Sequence, residues 1–195
     1  MKTFFRFVAF AALATSASGV FAASGYRYLN LDEVIQEHSN WCWSATSVDV
    51  LRWYGSSPSQ CAVANWALGR GDACGNGTFN WNSGANVANG MYGAAGSIQA
   101  ILSNWGLSSY GNNYALNWNA VVTEVNANRP FVLRFGWYNG GGHFLVGYGY
   151  DDRSGTQRVG YMNPWPGEGY TWSTYNWTVS AAYDHSWTHT LRMSR

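Results

Sequence analysis

The segment Gln36–Ala45, QEHSNWCWSA, decides how the rest of the chain is interpreted. It places a cysteine between two tryptophans, directly before a run of apolar residues at helical spacing that extends from Ala45 to Tyr54. Gly55 then stops the pattern, as glycine commonly does at the end of a helix. We therefore predict a helix over 42–54, with Cys42 at its N-terminus.

Cys42 is also the candidate free thiol. The other two cysteines, Cys61 and Cys74, lie close together in sequence among glycine and polar residues, and we expect them to form a disulfide. At the start of a helix, unpaired amide groups and the positive end of the dipole favour a thiolate and lower its pKa. Cys42 is therefore the candidate nucleophile.

A nucleophilic cysteine needs a base and a group that stabilises the oxyanion. His143 is the best-placed histidine, because it follows three glycines, and Gly141 and Gly142 would let a substrate backbone approach closely. Asn163 ends the next predicted strand and is the candidate to orient the imidazole. Gln36 is the candidate oxyanion donor, together with the backbone N–H of Cys42.

Two acidic residues compete for the orienting role. Asp151 and Asp152 follow the strand that begins after His143, so the third member of the site could be Asn163 or either aspartate.

The pattern along the chain predicts an α+β fold. Helical segments come first, in a lobe over about 30–128, and antiparallel strands follow, in a lobe over about 129–195, with the candidate site between them. The predicted helices span 42–54, 57–68, 97–105 and 117–126; the predicted strands span 131–135, 144–150, 157–162, 170–177 and 187–193. An Asp-Arg-Ser-Gly turn, 152–155, predicts a hairpin that brings His143 and Asn163 to the same end of the sheet.

The first 22 residues have the basic, then apolar, then small-residue pattern of a secretory signal, with cleavage expected near Ala22. We expect residues 23–195 to form one exported domain. The chain has 195 residues and a formal net charge of +1, and 17% of it is aromatic. That composition excludes a disordered chain and shows no electrostatic footprint for nucleic acid.

The order Gln36, Cys42-Trp43, His143, Asn163-x-Trp165 resembles that of the papain-like cysteine peptidases. Within them, Asn-Trp-Cys-Trp-Ser-Ala and Asn-Pro-Trp are most similar to the compact bacterial branch: staphopain-like enzymes, the peptidase C39-like group and AvrRpt2-type effectors. The resemblance covers roughly residues 30–195. Two features depart from it: Asn40-Trp41 precedes the cysteine, and Cys42 is closer to His143 than the roughly 130–150 residues typical of papain.

The resemblance implies the papain-like fold and a secreted thiol endopeptidase. Cys42 and His143 would form a thiolate–imidazolium pair, Gln36 would stabilise the oxyanion, Trp165 would shield the His143–Asn163 bond and Trp43 would support the cysteine. We assign Trp41, Gly141 and Gly142 to the substrate cleft. We expect a monomer that acts on a protein or peptide and needs no metal or cofactor. We expect neither a membrane span nor binding to nucleic acid. We also expect that an inhibitor protein or a host factor regulates the activity.

Two other functions remain open. The same Cys–His pair could act as an amidase or transferase on a non-protein amide. Alternatively, the chain could be a non-catalytic exported binding module that keeps the fold and uses its Trp and Tyr residues as the contact surface.

Overall fold

The computed structural model of the protein describes residues 25–194, so the predicted signal peptide lies outside the described part of the chain. The elements in chain order are β1 (Tyr26–Tyr28), α1 (Cys42–Trp53), α2 (Gln60–Leu68), α3 (Ile98–Asn104), β2 (Ser109–Asn112), α4 (Trp118–Asn126), β3 (Phe131–Trp137), β4 (His143–Asp151), β5 (Arg158–Asn163), β6 (Gly169–Thr174), α5 (Tyr175–Val179), β7 (Ser180–Ala181) and β8 (His185–Met193).

The strands form one antiparallel sheet, whose main path runs β2-β8-β3-β4-β5-β6. Along one edge of β4, its first half pairs with β3 and its second half pairs with β1. Strand β5 pairs with β4 along the opposite edge. β3 and β1 therefore lie end to end beside β4. The predicted α+β class is confirmed.

Helix α1 is the centre of the core. Every residue from Trp43 to Leu51 is buried, because α1 packs against β4 on one side and against α2 and α3 on the other. A helix that is enclosed in this way holds its first residue in a fixed position relative to the sheet. The structure thus positions Cys42 rigidly against the start of β4.

The other helices begin at side-chain caps. The side chains of Ser59, Ser97 and Asn117 accept hydrogen bonds from backbone N–H groups in the first turns of α2, α3 and α4. The sequence predicts that α2 opens at Ser57-Pro58, but it begins at Gln60 because Ser59 supplies the cap. It ends at Gly69, which has a left-handed conformation with φ 62°.

Two features of the sheet differ from the sequence prediction. Strands β1 and β2 are absent from the prediction: β1 precedes the predicted helical lobe and β2 lies within it, and they join the sheet through β4 and β8. The strand expected over 170–177 ends at Thr174, because the hydroxyl of Thr174 accepts a hydrogen bond from the N–H of Trp177 and starts α5.

No helix within residues 25–194 is long and apolar enough to cross a membrane.

Cys61 and Cys74 form a disulfide, and Cys42 is the free cysteine. The bridge ties α2 to the segment that follows it. We expect the double variant Cys61→Ser/Cys74→Ser to lose roughly 3 kcal/mol of unfolding free energy, as the chain-entropy model gives for a loop of this size. Urea unfolding measures the loss. Peptide mapping of native, non-reduced protein should find Cys42 alone alkylated; a second alkylated cysteine would contradict the pairing.

Asp49 on α1 is a buried acid without a partner. Both of its carboxyl oxygens are enclosed and have no hydrogen bond within the described residues. Burial raises the pKa of Asp49 well above its ordinary value; the nearby charge of Asp32 raises it further, and Arg52 opposes the shift. Burial therefore favours the protonated form of this carboxyl in the folded protein.

Asp49 should make stability fall with rising pH. An acid whose pKa is raised on folding stabilises the fold fully below its unfolded pKa, and that contribution disappears as pH rises through the folded pKa. We expect Asp49→Asn to be more stable than the parent by ~1–3 kcal/mol at pH 8 and by less near pH 5. Urea unfolding at both pH values measures this. The exposed control Glu37→Gln, whose charge is not among the causes of the Asp49 shift, should change little. A destabilised Asp49→Asn at pH 8 would contradict the prediction.

Candidate active site

Cys42 is the first residue of α1 and lines a cavity of about 490 Å³. The cavity lies where the N-terminus of α1 meets the ends of β3, β4 and β5. Its other lining residues are Ser39, Asn40, Ala88, Trp137, Gly142, His143, Asn163, Trp165 and Glu168. The cavity therefore contains the predicted nucleophile, the predicted base and the predicted orienting residue.

His143 and Asn163 are hydrogen-bonded to each other. The distance from Nε2 of His143 to Oδ1 of Asn163 is 2.7 Å. His143 begins β4 and Asn163 ends β5, and the antiparallel register, with Val146 opposite Met162, brings these two ends together. Because the amide oxygen only accepts, Nε2 carries the proton. Nδ1 is then the ring nitrogen that can take a proton from a thiol.

Two tryptophans hold the imidazole from different sides. Trp165 lies edge-on to His143, with ring centroids 6.3 Å apart, and its backbone N–H donates to Oδ1 of Asn163 at 3.0 Å. Trp137 lies nearly parallel to the His143 ring, also with centroids 6.3 Å apart. The ring orientation is thus defined by one hydrogen bond and two aromatic contacts.

The competing aspartates lie elsewhere. Asp151 is at the opposite end of β4 from His143 and is paired with Arg153, and Asp152 accepts a hydrogen bond from the backbone of Gly25. Among the three candidates for the third residue, only Asn163 contacts His143.

Gln36 is buried beside the site but does not line the cavity. Its side-chain nitrogen donates to the carbonyl oxygens of His38 at 2.8 Å and Ser39 at 3.0 Å. A primary amide has two N–H groups, so both are used within the loop that precedes α1. An oxyanion would have to replace one of these bonds to reach Gln36.

Some of the predicted cleft residues occupy other places. Trp41 does not line the cleft: its ring is completely buried and donates to the carbonyl of Ala85, because the loop over 83–87 folds across it. Trp43 is buried in the same way and donates to Val87. Gly142 lines the cavity, whereas Gly141 lines a neighbouring one.

The electrostatics of Cys42 differ from the sequence expectation. Burial raises the pKa of the Cys42 thiol to about 11, which outweighs the hydrogen bonds from the backbone N–H groups of Phe144, Trp43 and Cys42 and the nearby charge of Arg134. Burial also lowers the pKa of His143, against the raising effect of its bond to Asn163. Both shifts favour an uncharged thiol and imidazole in the free protein.

Three site residues escaped the sequence reasoning. Trp137 and Arg134 lie on β3, and Glu168 lies in the turn between β5 and β6. The signal that could have found the first two was available, because β3 precedes His143 by a short turn and must therefore pair beside it.

Within the part of the chain that the structure describes, no three His, Cys, Asp or Glu side chains converge in a way that could hold a metal ion.

The helical layer, the antiparallel sheet and a cysteine that shares one cavity with a His–Asn pair define the class of papain-like cysteine peptidases. The sequence matches the Peptidase_C39 like family over residues 28–194, and the chain belongs to that family. No curated protein matches the chain.

Two solved structures share the fold. The peptidase domain of Streptococcus ComA, a bifunctional ABC transporter involved in a quorum-sensing pathway, superposes with a TM-score of 0.56 at 14% identity, over 84% of this chain and 96% of that one. A structure from a study of the mite allergens Blo t 1 and Der p 1 gives a TM-score of 0.53 at 11% identity, over 85% and 67%. These likenesses confirm the papain-like fold expected from the sequence.

Proposed function

We propose that the protein is an exported cysteine endopeptidase in which Cys42 is the nucleophile, His143 the general base and acid, and Asn163 the residue that orients the imidazole. One observation carries the proposal: Cys42 and His143 line one cavity, and Asn163 binds Nε2 of His143 and so leaves Nδ1 available to the thiol.

The reaction follows from these positions. His143 takes the thiol proton as the sulfur attacks the carbonyl carbon of the scissile bond, and a tetrahedral oxyanion forms. The imidazolium then gives that proton to the leaving nitrogen as the C–N bond breaks, which leaves a thioester on Cys42. A water molecule, deprotonated by His143, hydrolyses the thioester, and the thiol is restored.

The timing of the first proton transfer differs from the ion pair that the resemblance implies. With the pKa of Cys42 at about 11 and that of His143 lowered, the thiol keeps its proton until substrate arrives. The proton then moves as the carbon–sulfur bond forms, so His143 acts as a general base. Substrate that excludes water from the cavity would strengthen each of these interactions.

The oxyanion has two candidate donors. The backbone N–H of Cys42 lies at the start of α1, where helix amides have no intrahelical partner. We keep Gln36 as the second donor, acting when the carbonyl of His38 or Ser39 gives up its bond to the side chain. Trp165 covers the His143–Asn163 bond and limits its contact with water.

Export is supported by two features. The first 22 residues have the composition of a secretory signal, and the Cys61–Cys74 disulfide fits an oxidising compartment.

The direct test combines labelling with cleavage. A thiol-directed epoxide inhibitor should label one residue, Cys42, and the folded protein should cleave casein and members of a randomised peptide pool. Labelling without cleavage of any peptide, but with release of amine from a non-protein amide, would favour an amidase. Neither labelling nor cleavage would indicate a binding module and would contradict the proposal.

Asn163 sets the pH at which activity appears. His143 must be unprotonated to accept the thiol proton, so kcat/KM should fall as pH drops through its pKa, below the ordinary value of 6.5. The bond to Asn163 raises that pKa. Asn163→Ala should therefore move the acid limb of the kcat/KM profile to lower pH and reduce turnover by roughly tenfold or more.

The matched variant Asn163→Asp gives the opposite shift. A carboxylate next to the ring favours the imidazolium, so the acid limb should move to higher pH. A larger loss of turnover in Asp151→Ala or Asp152→Ala, at normal stability, would show that Asn163 is not the third residue.

A further inference from the structure

We propose that Arg134, in a second pocket next to the Cys42 cavity, binds a carboxylate on the leaving-group side of the substrate. The inference rests on the proposed peptidase function and adds a substrate preference to it. The carboxylate could be the C-terminus of the substrate or the side chain of an aspartate or glutamate shortly after the scissile bond.

Arg134 is a cation without an acidic partner in the described residues. Its guanidinium donates to the carbonyl of Gly141 at 2.6 Å and to the hydroxyl of Thr188 at 2.9 Å. None of the ion pairs found between residues 25 and 194 includes it. A guanidinium has five N–H donors, so most of its hydrogen-bonding capacity is left for a ligand.

Two glycines make room for the guanidinium, and its hydrogen bonds to Gly141 and Thr188 fix its position. A Cβ added to Gly142 would lie 2.7 Å from the central carbon of the guanidinium, and one added to Gly136 would lie 2.9 Å from Nη1. Any larger residue at these positions would displace the charged group. The group is therefore held in place before a ligand arrives, which reduces the entropy that binding costs.

The pocket that Arg134 lines has a volume of about 460 Å³, and Trp137 is part of its wall as well as of the wall of the Cys42 cavity. Trp137 also lies against the imidazole of His143. In the proposed reaction His143 protonates the leaving nitrogen, so the peptide that departs must begin beside His143. The pocket is thus on the leaving-group side.

His185 is a buried residue in the wall of this pocket. The residue is 2% exposed, and its Nε2 has no hydrogen-bond partner. Its Nδ1 lies 3.0 Å from Oδ2 of Asp184, and because a carboxylate only accepts, Nδ1 carries the proton. The ring is stacked on Phe135, with centroids 3.7 Å apart, so His185 forms part of the buried floor beneath the pocket. Arg134 is therefore the group in this pocket that contacts a ligand.

The outer rim of the pocket is aromatic and open. Tyr138 is 74% exposed and Tyr183 is 85% exposed, and their rings contact edge to face, with centroids 5.7 Å apart. Tyr183 is held there by a tight turn in which its backbone has φ 62°, a conformation that residues other than glycine rarely adopt. The rim is a surface on which the rest of the leaving peptide can pack.

Two acidic residues near the pocket affect the preference for a carboxylate at Arg134. Glu168 lines the Cys42 cavity and repels an acidic side chain there, and Asp184 is turned towards His185. The nearby charge of Arg134 also favours the thiolate of Cys42, so Arg134 could affect the rate without touching substrate. A ratio of two substrates separates these roles, because an effect on the thiol acts on both substrates equally.

The experiment compares three peptide pools that are randomised before the scissile bond. The first has neutral residues after the scissile bond and a free C-terminal carboxylate; the second has a C-terminal amide and an aspartate or glutamate after the scissile bond. The third is neutral and ends in an amide. We expect kcat/KM for the first or the second pool to exceed that for the third by about tenfold, as for a charge-assisted hydrogen bond.

Arg134→Gln should bring this ratio close to one, and Arg134→Glu should invert it. Arg158→Gln, which removes a cation on β5 outside both cavities, should keep it. A preference for the first pool identifies the C-terminus as the source of the carboxylate, and a preference for the second identifies an acidic side chain. An equal rate for all three pools, or a ratio unchanged in Arg134→Gln, would overturn the inference and leave the peptidase function standing. Failure to cleave any pool, with no labelling of Cys42, would overturn both.

Discussion

Replacing Cys42 by alanine is expected to lower peptide hydrolysis by several orders of magnitude, on the scale of losses seen when a catalytic nucleophile is removed. The change removes one sulfur atom from the edge of a cavity and leaves the buried face of α1, from Trp43 to Leu51, untouched. The thermal midpoint should therefore stay within a few degrees of that of the parent protein.

The control for this experiment is the loss of the other two sulfurs. Cys61→Ser/Cys74→Ser lowers stability but leaves the cavity intact, so its activity per folded molecule should be close to that of the parent. The rates are measured on a peptide that the parent protein cleaves, with folded protein quantified by circular dichroism. Hydrolysis retained by the purified Cys42→Ala variant would rule out the cysteine mechanism.

His143→Ala should lower kcat/KM by several orders of magnitude, because both proton transfers lose their carrier. The same variant should make Cys42 slow to label at neutral pH, since the thiol, with a pKa of about 11, has no base beside it. Labelling should then become about ten times faster for each unit of pH between 7 and 10, as the thiolate fraction rises.

His189→Ala is the matched control, because His189 lies on β8, outside the Cys42 cavity, and contacts Tyr92. It should label and cleave at the rate of the parent protein. A His143→Ala variant that labels as fast as the parent at pH 7 would show that another group activates the thiol, and the assignment of the base would be wrong.

Local signals explain which parts of the fold could be predicted from the sequence. The apolar spacing after Cys42 predicts α1, side-chain caps at Ser97 and Asn117 mark two further helices, and the turn over 152–155 predicts the β4–β5 hairpin. That hairpin alone brings His143 and Asn163 together, which is why the geometry of this pair follows from the local sequence.

The missed elements depend on distant partners. β1 and β2 are short strands of mostly exposed residues, and their patterns resemble loops until β4 and β8 supply the hydrogen bonds. The sequence predicts Trp41 in the cleft, yet the loop over 83–87 covers it. The pocket of Arg134 needs β3, β8 and the turn before His143 together, and no local pattern signals that combination.

The way β1 and β2 enter the sheet also has a consequence for the kinetics of folding. Tyr26 pairs with Asp151, and Ser109 pairs with Met193. The β1–β4 and β2–β8 ladders can therefore form only after the long segments between their strands have become compact. Contacts between residues so far apart in sequence raise the contact order, and the loop entropy must be lost before those hydrogen bonds form. Cys42 on α1 and His143 on β4 are also far apart in sequence, so partly folded chains can form the local His143–Asn163 pair but should lack a working cavity.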